Sequence, residues 1–238
     1  MQPAPLSITD LRKRYGTNLA LDGATFALKP GEIFGLIGLN GAGKTTLIKI
    51  VLDLISADGG EARLFGHPAT DVEARRHLSY MPEKFQPSRY LKGFEYLDLS
   101  LSYYGQKLNQ AAARRMAAQL DLDPDVLPAR VGTYSKGMGQ KLGLVGAFLI
   151  HAPLLILDEP MSGLDPRARI RLKEAMLEAR KAGRTLFFSS HILSDIDEIC
   201  DRVGVIHEGR QRFVGTPAEY KKQAGEKVLE KAFLEVIS

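Results

Sequence analysis

The chain has 238 residues, of which 45% are hydrophobic, so it is long and apolar enough for one large domain with its own core. Its 32 basic and 28 acidic residues give a formal net charge of +4 without a dense basic run, which argues against nucleic acid as a partner. The single cysteine excludes an internal disulfide and fits a reducing compartment. No signal peptide is recognised, and no segment approaches the roughly 20 apolar residues of a membrane span, so if the protein serves a membrane, we expect it to do so through a partner.

Short runs of strand-forming residues open the chain. Strands are predicted at residues 6–8, 24–28, 33–37 and 62–65, separated by the turn-forming pairs Asp22-Gly23, Pro30-Gly31 and Gly59-Gly60. Three later runs, at 154–157, 185–188 and 203–206, are apolar throughout. Such runs are typical of a parallel sheet that is covered on both faces.

A glycine-rich loop follows the predicted strand 33–37. Its sequence GLNGAGKTT has the spacing G-x-x-x-x-G-K-[ST] and precedes a helical run at 47–54, which is the context that the phosphate-loop motif requires. We expect backbone N–H groups to surround phosphate oxygens, Lys44 to reach the β- and γ-phosphates, and Thr45 to bind Mg²⁺. The predicted nucleotide-contacting residues are Gly38, Leu39, Asn40, Gly41, Ala42, Gly43, Lys44, Thr45 and Thr46. The motif indicates a nucleoside triphosphate without specifying which one, and the alternative is a glycine-rich turn without a ligand.

The middle of the chain, from about 87 to 150, has helical periodicity without convincing strands, and we interpret it as a helical lobe inserted into an α/β core. Near its end, the sequence YSKGMGQKL places Ser135, Gly137 and Gly139 ahead of a helical segment. A helix start of this kind attracts anions. Taken alone, an ordinary loop and cap is the simpler interpretation of this stretch.

Two adjacent carboxylates, Asp158 and Glu159, end the predicted strand 154–157. Successive side chains of a strand point in opposite directions, so we expect the two carboxylates to face different surroundings. Together with a phosphate loop, Asp158 suits a metal–water contact and Glu159 suits the base that activates water. The alternative is a solvated pair of charges at a strand end.

The last third of the chain contains two predicted helices. One begins at the cap pair Asp165-Pro166 and runs to Gly183. The other is opened by His191, with Ser190 as its cap; at the carboxyl end of a core strand, His191 is also placed to hydrogen-bond a γ-phosphate. Residues 217–238 are interpreted as a charged amphipathic tail.

In this order, the motifs resemble those of the nucleotide-binding subunits of ATP-binding cassette (ABC) transporters, over about residues 6–220. The resemblance implies a P-loop NTPase fold of the α/β class, with a mostly parallel sheet, an antiparallel β subdomain and an inserted α-helical lobe. The implied division of the single domain 1–238 is an ATPase core at about 1–86 and 151–220, a lobe at about 87–150 and a tail at about 217–238.

The resemblance also implies roles for individual residues. Tyr15 matches the aromatic residue that stacks on adenine, and His191 matches a switch histidine that acts with Glu159 and Lys44 in catalysis. Asp165 ends the sequence SGLD, which matches a loop that communicates across a dimer. YSKGMGQKL resembles the family signature, usually written LSGGQ, so Ser135 and Gly137 are implied to close over the ATP held by a second copy.

These assignments imply an ATPase with ATP and Mg²⁺ as its cofactors, and a head-to-tail pair of chains with two ATP molecules between them. The implied partners are a second copy, or a homologous cassette, and an integral membrane permease subunit, with no nucleic acid. The implied location is the cytoplasmic face of the cell membrane, where the chain is peripheral and held by the membrane subunit.

Two motifs depart from the family pattern. The signature has Tyr134, Lys136 and Met138 where leucine, glycine and glutamine are commoner, and the segment YMPEKF is the second. Glu83, in YMPEKF, stands where glutamine is common; a carboxylate can ligate Mg²⁺, so Glu83 joins Thr45 and Asp158 as a predicted metal ligand, with a solvent-facing side chain as the alternative. Some exporter-type members resemble the chain here, which favours export. Lys136 adds a charge to the signature and has no assigned role.

Several alternatives remain at this point. Phe85, Tyr90, Phe94 and Tyr96 are predicted either to form a groove for a short helix of the membrane subunit or to be ordinary lobe core. A GTPase is disfavoured because the chain has no N-K-x-D string. A soluble ABC-type ATPase acting on ribosomes or DNA is disfavoured because those proteins resemble two cassettes in one chain or carry long coiled-coil insertions. A phosphotransferase would leave Glu159 and the signature without a purpose.

Overall fold

The computed structural model describes residues 3–237, and these form two sheets with helices packed around them. The strands are β1 (Leu6–Tyr15), β2 (Asn18–Ala27), β3 (Ile33–Ile37), β4 (Gly59–Leu64), β5 (His67–Pro68), β6 (Leu78–Met81), β7 (Leu154–Asp158), β8 (Thr185–Ser190), β9 (Arg202–His207) and β10 (Arg210–Gly215). The helices are α1 (Lys44–Val51), α2 (Val72–Arg75), α3 (Gly93–Ser102), α4 (Gln110–Gln119), α5 (Lys136–Leu149), α6 (Pro166–Lys181), α7 (Leu193–Ile199), α8 (Pro217–Gln223) and α9 (Leu229–Ile237). Two short 3-10 turns, Pro124–Val126 and Val131–Thr133, precede α5.

The larger sheet has six strands in the order β10-β9-β3-β8-β7-β6. Strand β3 pairs in parallel with β8 and β9, β7 pairs in parallel with β6 and β8, and β10 is an antiparallel edge strand. The smaller sheet, β2-β1-β4-β5, is antiparallel. The predicted mixed α/β fold, with a mostly parallel sheet and a separate antiparallel one, is therefore confirmed.

The central strands are buried on both faces, as their apolar sequences predict. Every residue of β3, β7 and β8 is buried. Their side chains alternate between two cores: Ile33 and Ile37 face the helices α4 to α7, whereas Phe34 and Leu36 face α1 and the smaller sheet. The central strands β3, β8 and β7 are consequently packed between a core on each face of the sheet.

Some local predictions are wrong. Asp22-Gly23 is not a turn but lies inside β2, where the pairing with β1 contains register shifts that accommodate it. The sequence does not predict strands β6 and β10, because the first is only four residues long and the second begins with the polar run Arg210-Gln211-Arg212 at a sheet edge. Ser190 does not cap a helix: it ends β8, and its hydroxyl accepts a hydrogen bond from the backbone N–H of Ile192 at 3.0 Å.

Three helices, α3, α4 and α5, lie between β6 and β7, and we keep the name helical lobe for residues 87–150. The tail is more than a charged surface helix. Tyr220, Leu229 and Phe233 are buried in the same core as the helical side of the larger sheet. Among the described residues, 3–237, no helix is long and apolar enough to cross a membrane.

Candidate active site

The phosphate loop lies between the end of β3 and the start of α1, and two of its glycines are fixed by sterics. At Gly43, φ is +110°, and a Cβ atom would lie 2.4 Å from the carbonyl oxygen of Ala20. At Gly38, a Cβ atom would lie 2.5 Å from the carbonyl oxygen of Ile206. Any side chain at either position would displace the loop, because real Cβ atoms do not approach backbone oxygens this closely.

Lys44 folds back over the loop from the first turn of α1. Its Nζ donates hydrogen bonds to the carbonyl oxygens of Gly38 at 2.8 Å and Leu39 at 3.3 Å. The same nitrogen lies 3.1 Å from Oε1 of Glu159, within ion-pair distance although not aligned as a hydrogen bond. The buried ammonium group therefore connects the phosphate loop to the acid that follows β7.

Asp158 ends β7 and lies next to Thr45 and Ser189. The Ser189 hydroxyl donates to Asp158 Oδ1 at 2.5 Å, and the Thr45 hydroxyl is 3.5 Å from the same oxygen. The Asp158 side chain is almost completely buried, and this burial raises the pKa of its carboxyl group above the ordinary value despite the two hydrogen bonds.

Glu159 leaves the strand conformation, with φ at +49°, a value that is uncommon for a residue other than glycine. β7 ends at Asp158, so strand alternation does not govern Glu159. Both acids are nevertheless buried, and their side chains contact different partners, which agrees with the expectation of different surroundings. Glu159 Oε2 lies 2.8 Å from Nδ1 of His191, and Glu159 Oε1 faces Lys44. A single carboxylate thus bridges the lysine and the histidine.

Ser189 was not identified from the sequence. Its hydroxyl donates to Asp158 and accepts a hydrogen bond from the backbone N–H of Glu159 at 2.9 Å, so it holds both acids. The only signal for it was the pair of serines that ends the run 185–188, and the structure pairs Ser189 with Asp158 across β7 and β8.

A cavity of about 390 Å³ lies above the loop. Tyr15, Glu83 and Glu159 line it together with most of the phosphate loop. The loop residues that line the cavity are Leu39, Asn40, Gly41, Gly43, Lys44, Thr45 and Thr46. Two predicted loop residues, Gly38 and Ala42, do not line the cavity. The Gly38 carbonyl oxygen accepts a hydrogen bond from Lys44, and Ala42 is buried. Asn18 and Ala20, which the sequence did not single out, complete the wall. Glu83 is exposed and also borders the cavity, so it has access to both solvent and ligand.

The signature lies outside this cavity. Ser135 caps α5, its hydroxyl accepting the N–H of Met138 at 3.2 Å, and its carbonyl oxygen accepts the N–H of Gly139 at 2.9 Å. The amides of Lys136 and Gly137, in the first turn, have no carbonyl one helical turn earlier within α5. A Cβ atom on Gly137 would meet nothing within 4 Å, so this helix start is open. Asp165 caps α6 by accepting the N–H of Ala168 at 2.9 Å and likewise lies outside the cavity.

A second cavity, of about 880 Å³, forms a groove on the helical lobe. Phe85 and Tyr90 line it. Phe85 also packs against the larger core, as Phe94 and Tyr96 do. Phe85 contacts Tyr96 edge-on, with ring centroids 5.3 Å apart. The cationic residues of the groove are Arg89, Arg130 and Lys136.

Comparison with known proteins supports this geometry. Residues 21–162, more than half of the chain, match the sequence model of the family described as ABC transporter. The chain belongs to the ABC transporter family. Its match includes the phosphate loop, the signature and the acid pair, and ABC ATP-binding domains are ATPases.

Individual relatives agree with this assignment. An uncharacterized ABC transporter ATP-binding protein of Nostoc sp. is 38% identical over 218 residues, covering 87% of this chain; the chain spans 65% of that relative's length, less than two thirds. A Nod factor export ATP-binding protein I of Burkholderia orbicola is 35% identical over 223 residues, 91% of this chain and 72% of that protein. A solved structure titled as the ATP binding subunit of an ABC transporter superposes with a TM-score of 0.89 at 34% identity, covering 98% of this chain and 99% of the other. These relatives are named as ATP-binding proteins or as an ATP-binding subunit of an ABC transporter.

Proposed function

We propose that this chain hydrolyses ATP in a head-to-tail pair of two copies and drives export through a separate integral membrane subunit, to which it is bound at the cytoplasmic face of the cell membrane. The observation that carries the catalytic part is the bridge Lys44–Glu159–His191 at the edge of the nucleotide cavity. It places the Glu159 carboxylate within contact distance of both the Lys44 ammonium group and the His191 imidazole, beside the phosphate loop.

Each member of the bridge has a distinct proposed role. Lys44 stabilises negative charge on the β- and γ-phosphates. Glu159 orients the attacking water and accepts its proton, and His191 fixes the orientation of the Glu159 carboxylate through the 2.8 Å contact. Because Glu159 contacts Lys44, a bound triphosphate would compete with the carboxylate for the ammonium group.

The donor set at the start of α1 suits Mg²⁺. Asp158 supplies a buried carboxylate, Thr45 supplies a hydroxyl 3.5 Å away, and Glu83 borders the same cavity. Within residues 3–237 no cluster of three or more His, Cys, Asp or Glu side chains could hold a metal ion by itself. Mg²⁺ bound here would be held by these side chains together with substrate phosphates, whose charge it would neutralise.

The position of the signature supports the proposed pairing with a second copy. The open amides of Lys136 and Gly137 belong to a helix start that does not line the cavity of its own chain. Helix starts of this kind bind anions. A head-to-tail pair supplies such an anion, because the signature of each copy then faces the triphosphate held by the other. ATP bound between two chains favours the closed pair, and ATP hydrolysis allows the two chains to separate.

The groove on the lobe supports a membrane partner. It is concave, lined by Phe85 and Tyr90, and large enough for a short helix. Tyr90 is 86% exposed, a large aromatic surface that a partner would cover. The export direction rests on Glu83 and on the similarity to the Burkholderia protein named for Nod factor export.

Complementation between two inactive variants tests the paired mechanism. Lys44→Ala disables the phosphate loop, and Gly137→Asp places a negative charge at the signature. Each variant alone is expected to be inactive, but a mixture should recover ATPase activity, since a mixed pair contains one site with an intact loop and an intact signature. A mixture as inactive as its components, with both proteins folded, would rule out a shared site.

The membrane partner is tested separately. The tagged chain, purified from detergent-solubilised membranes of its source cells, should retain an integral membrane subunit, whereas a variant with Tyr90→Ala and Arg89→Glu in the groove should lose it. Tyr103→Ala, at an exposed tyrosine outside the groove, is the matched control and should retain the subunit. Retention by all three proteins would exclude the groove as the docking site, and co-purifying ribosomes or DNA would favour the soluble alternative.

A further inference from the structure

Tyr15 is the last residue of β1, immediately before Gly16 with φ at +57°. Its side chain lines the nucleotide cavity together with Asn18 and Ala20. The residue is 47% exposed, so packing does not by itself hold the ring. If an aromatic ring is immobilised only when a ligand stacks on it, the entropy lost in ordering the ring lowers the affinity for that ligand.

Lys13 lies over this ring. Its Nζ is 5.6 Å from the centre of the Tyr15 ring, within the range of a cation–π contact. Residues 13 and 15 of a strand point to the same side, which brings the two side chains together. Tyr15 borders the cavity, whereas Lys13 does not.

Asp58, the residue before β4, holds Lys13 in place. Lys13 Nζ donates to Asp58 Oδ1 at 2.9 Å, and the backbone N–H of Arg14 donates to Asp58 Oδ2 at 2.7 Å. The backbone N–H of Asp58 donates to the carbonyl oxygen of Arg12 at 2.9 Å. Only 14% of the Lys13 side chain is exposed, although it sits beside a half-exposed tyrosine. The hydrogen bonds from Lys13 and from the Arg14 amide keep the pKa of Asp58 below its ordinary value, which keeps this acceptor charged.

We propose that Lys13 and Asp58 are positioning residues for the base of the bound nucleotide: Asp58 fixes Lys13, and Lys13 fixes the Tyr15 ring with its free face toward the cavity. The inference rests on the proposed function, in which Tyr15 stacks on adenine. Part of the ordering that stacking requires is then already present in the free protein. Because Asp58 neutralises the charge of Lys13, we expect Lys13 to act on the orientation of the ring, and so on recognition of the base and not of the phosphates.

ADP and inorganic pyrophosphate separate these two contributions, since both occupy the phosphate loop and only ADP carries a base. Binding of each is measured by calorimetry for the unmodified protein and for Lys13→Met, Lys13→Arg, Asp58→Asn and Tyr15→Ala. Lys13→Met is expected to weaken ADP binding about two- to fivefold, the factor that corresponds to an exposed cation–π contact, with pyrophosphate unchanged. Lys13→Arg should restore ADP binding because a guanidinium group also stacks on aromatic faces. Asp58→Asn should resemble Lys13→Met, and the KM for ATP should rise in both variants without a change in kcat.

The control is Lys221→Met, which removes another half-buried lysine that is paired with an acid, Asp197, at 2.8 Å, but outside the nucleotide cavity. It should leave both affinities unchanged. An equal loss of ADP and pyrophosphate binding in Lys13→Met would overturn the proposal, because Lys13 would then act on the phosphates; so would unchanged ADP binding in Lys13→Met while Tyr15→Ala is weakened. If Tyr15→Ala leaves ADP binding unchanged, stacking itself, and with it that part of the proposed function, is wrong.

Discussion

Lys141 Nζ lies 3.6 Å from Asp165 Oδ2, which connects the helix of the signature to the cap of α6. The same nitrogen donates to Asp121 Oδ2 at 2.7 Å and to the Asp121 carbonyl oxygen at 2.9 Å. Asp121 in turn lies 3.0 Å from Nε of Arg167 on α6. Lys141 is mostly buried, so this cluster is a fixed contact between the helical lobe and the segment after β7. Both segments that are predicted to meet a second copy are therefore held together within one chain.

Replacement of Lys141 by methionine should uncouple these segments. The variant keeps an apolar stem in place, while Asp121 and Asp165 lose their shared cation. We expect the ATPase rate to fall on the order of tenfold, because coupling free energies between sites are typically 1–3 kcal/mol, with ADP affinity unchanged. Steady-state kinetics and ADP calorimetry measure the two effects.

The matched control for Lys141→Met is Arg171→Met on α6. Arg171 pairs with Glu174 on the exposed side of the same helix, where such pairs contribute little. Equal ATPase rates for the Lys141 variant and the control would contradict a coupling role.

The sequence predicts the parts of the site that are contiguous in the chain. The phosphate loop and the pair Asp158-Glu159 are recognised because each motif combines its chemistry with a strand before it. The roles given to these residues stay predictions, whereas the mixed α/β fold is confirmed by the sheets and by the structural relative. Long apolar strands were found correctly because both of their faces are buried.

What the sequence does not predict are contacts between distant segments. Ser189 reaches Asp158 only because β7 and β8 are neighbours, and Lys141 meets Asp121 and Asp165 only after the lobe packs on α6. The left-handed backbone at Glu159 has no local signature, since glycine is the residue usually expected there. Asp22-Gly23 carries a strong turn signal that tertiary pairing overrides.

Asp158→Asn should stabilise the nucleotide-free protein while it removes activity. Burial raises the pKa of Asp158, so the charged form lowers the free energy of unfolding at neutral pH. Asparagine keeps an acceptor for the Ser189 hydroxyl without the charge. We expect a melting temperature a few degrees higher at pH 7, where about 1 kcal/mol corresponds to about 2–4 °C for a chain of this size. Mg²⁺-dependent ATP hydrolysis should be lost.

The pH dependence of this gain has a definite sign. Between the unfolded and folded pKa values of Asp158, the native state binds more protons than the unfolded state, so stability falls as pH rises through this window. The advantage of Asp158→Asn should therefore shrink as pH is lowered through the folded pKa. Asp125→Asn, at a well-exposed acid, is the control and should not shift the melting temperature. A lower melting temperature for Asp158→Asn at pH 7 would contradict the prediction.

Gly43→Ala should destabilise the chain more than the same substitution at Gly183, another glycine with left-handed backbone conformation. Both Gly43 and Gly183 have positive φ, but a Cβ atom would clash with Ala20 at Gly43 and meet nothing within 4 Å at Gly183. Gly183→Ala should cost about 1–2 kcal/mol, the ordinary conformational penalty. Gly43→Ala should cost more and also abolish ADP binding, as measured by urea unfolding and calorimetry. Equal costs at the two positions would show that the loop can relax around Ala20.

Phe233→Ala tests the packing of the tail. Phe233 is buried on α9 in the larger core, so its removal should cost about 3–5 kcal/mol, as for other buried phenylalanines. Val228→Ala, at a half-exposed position just before α9, should cost far less. Urea unfolding provides both values, and a small effect at Phe233 would indicate that the tail is not integral to the fold.

A double-mutant cycle at Glu159 and His191 tests whether these residues act as one unit. Glu159→Gln should lower kcat by about 10²–10⁴-fold, the usual contribution of a general base. His191→Ala should lower it less, because its proposed effect is to orient Glu159 through the 2.8 Å contact. In the double variant His191→Ala should add little, giving a coupling energy on the order of 1–3 kcal/mol. Strictly multiplicative losses would instead mean that His191 acts on the nucleotide independently of Glu159, and the bridge would then be structural only.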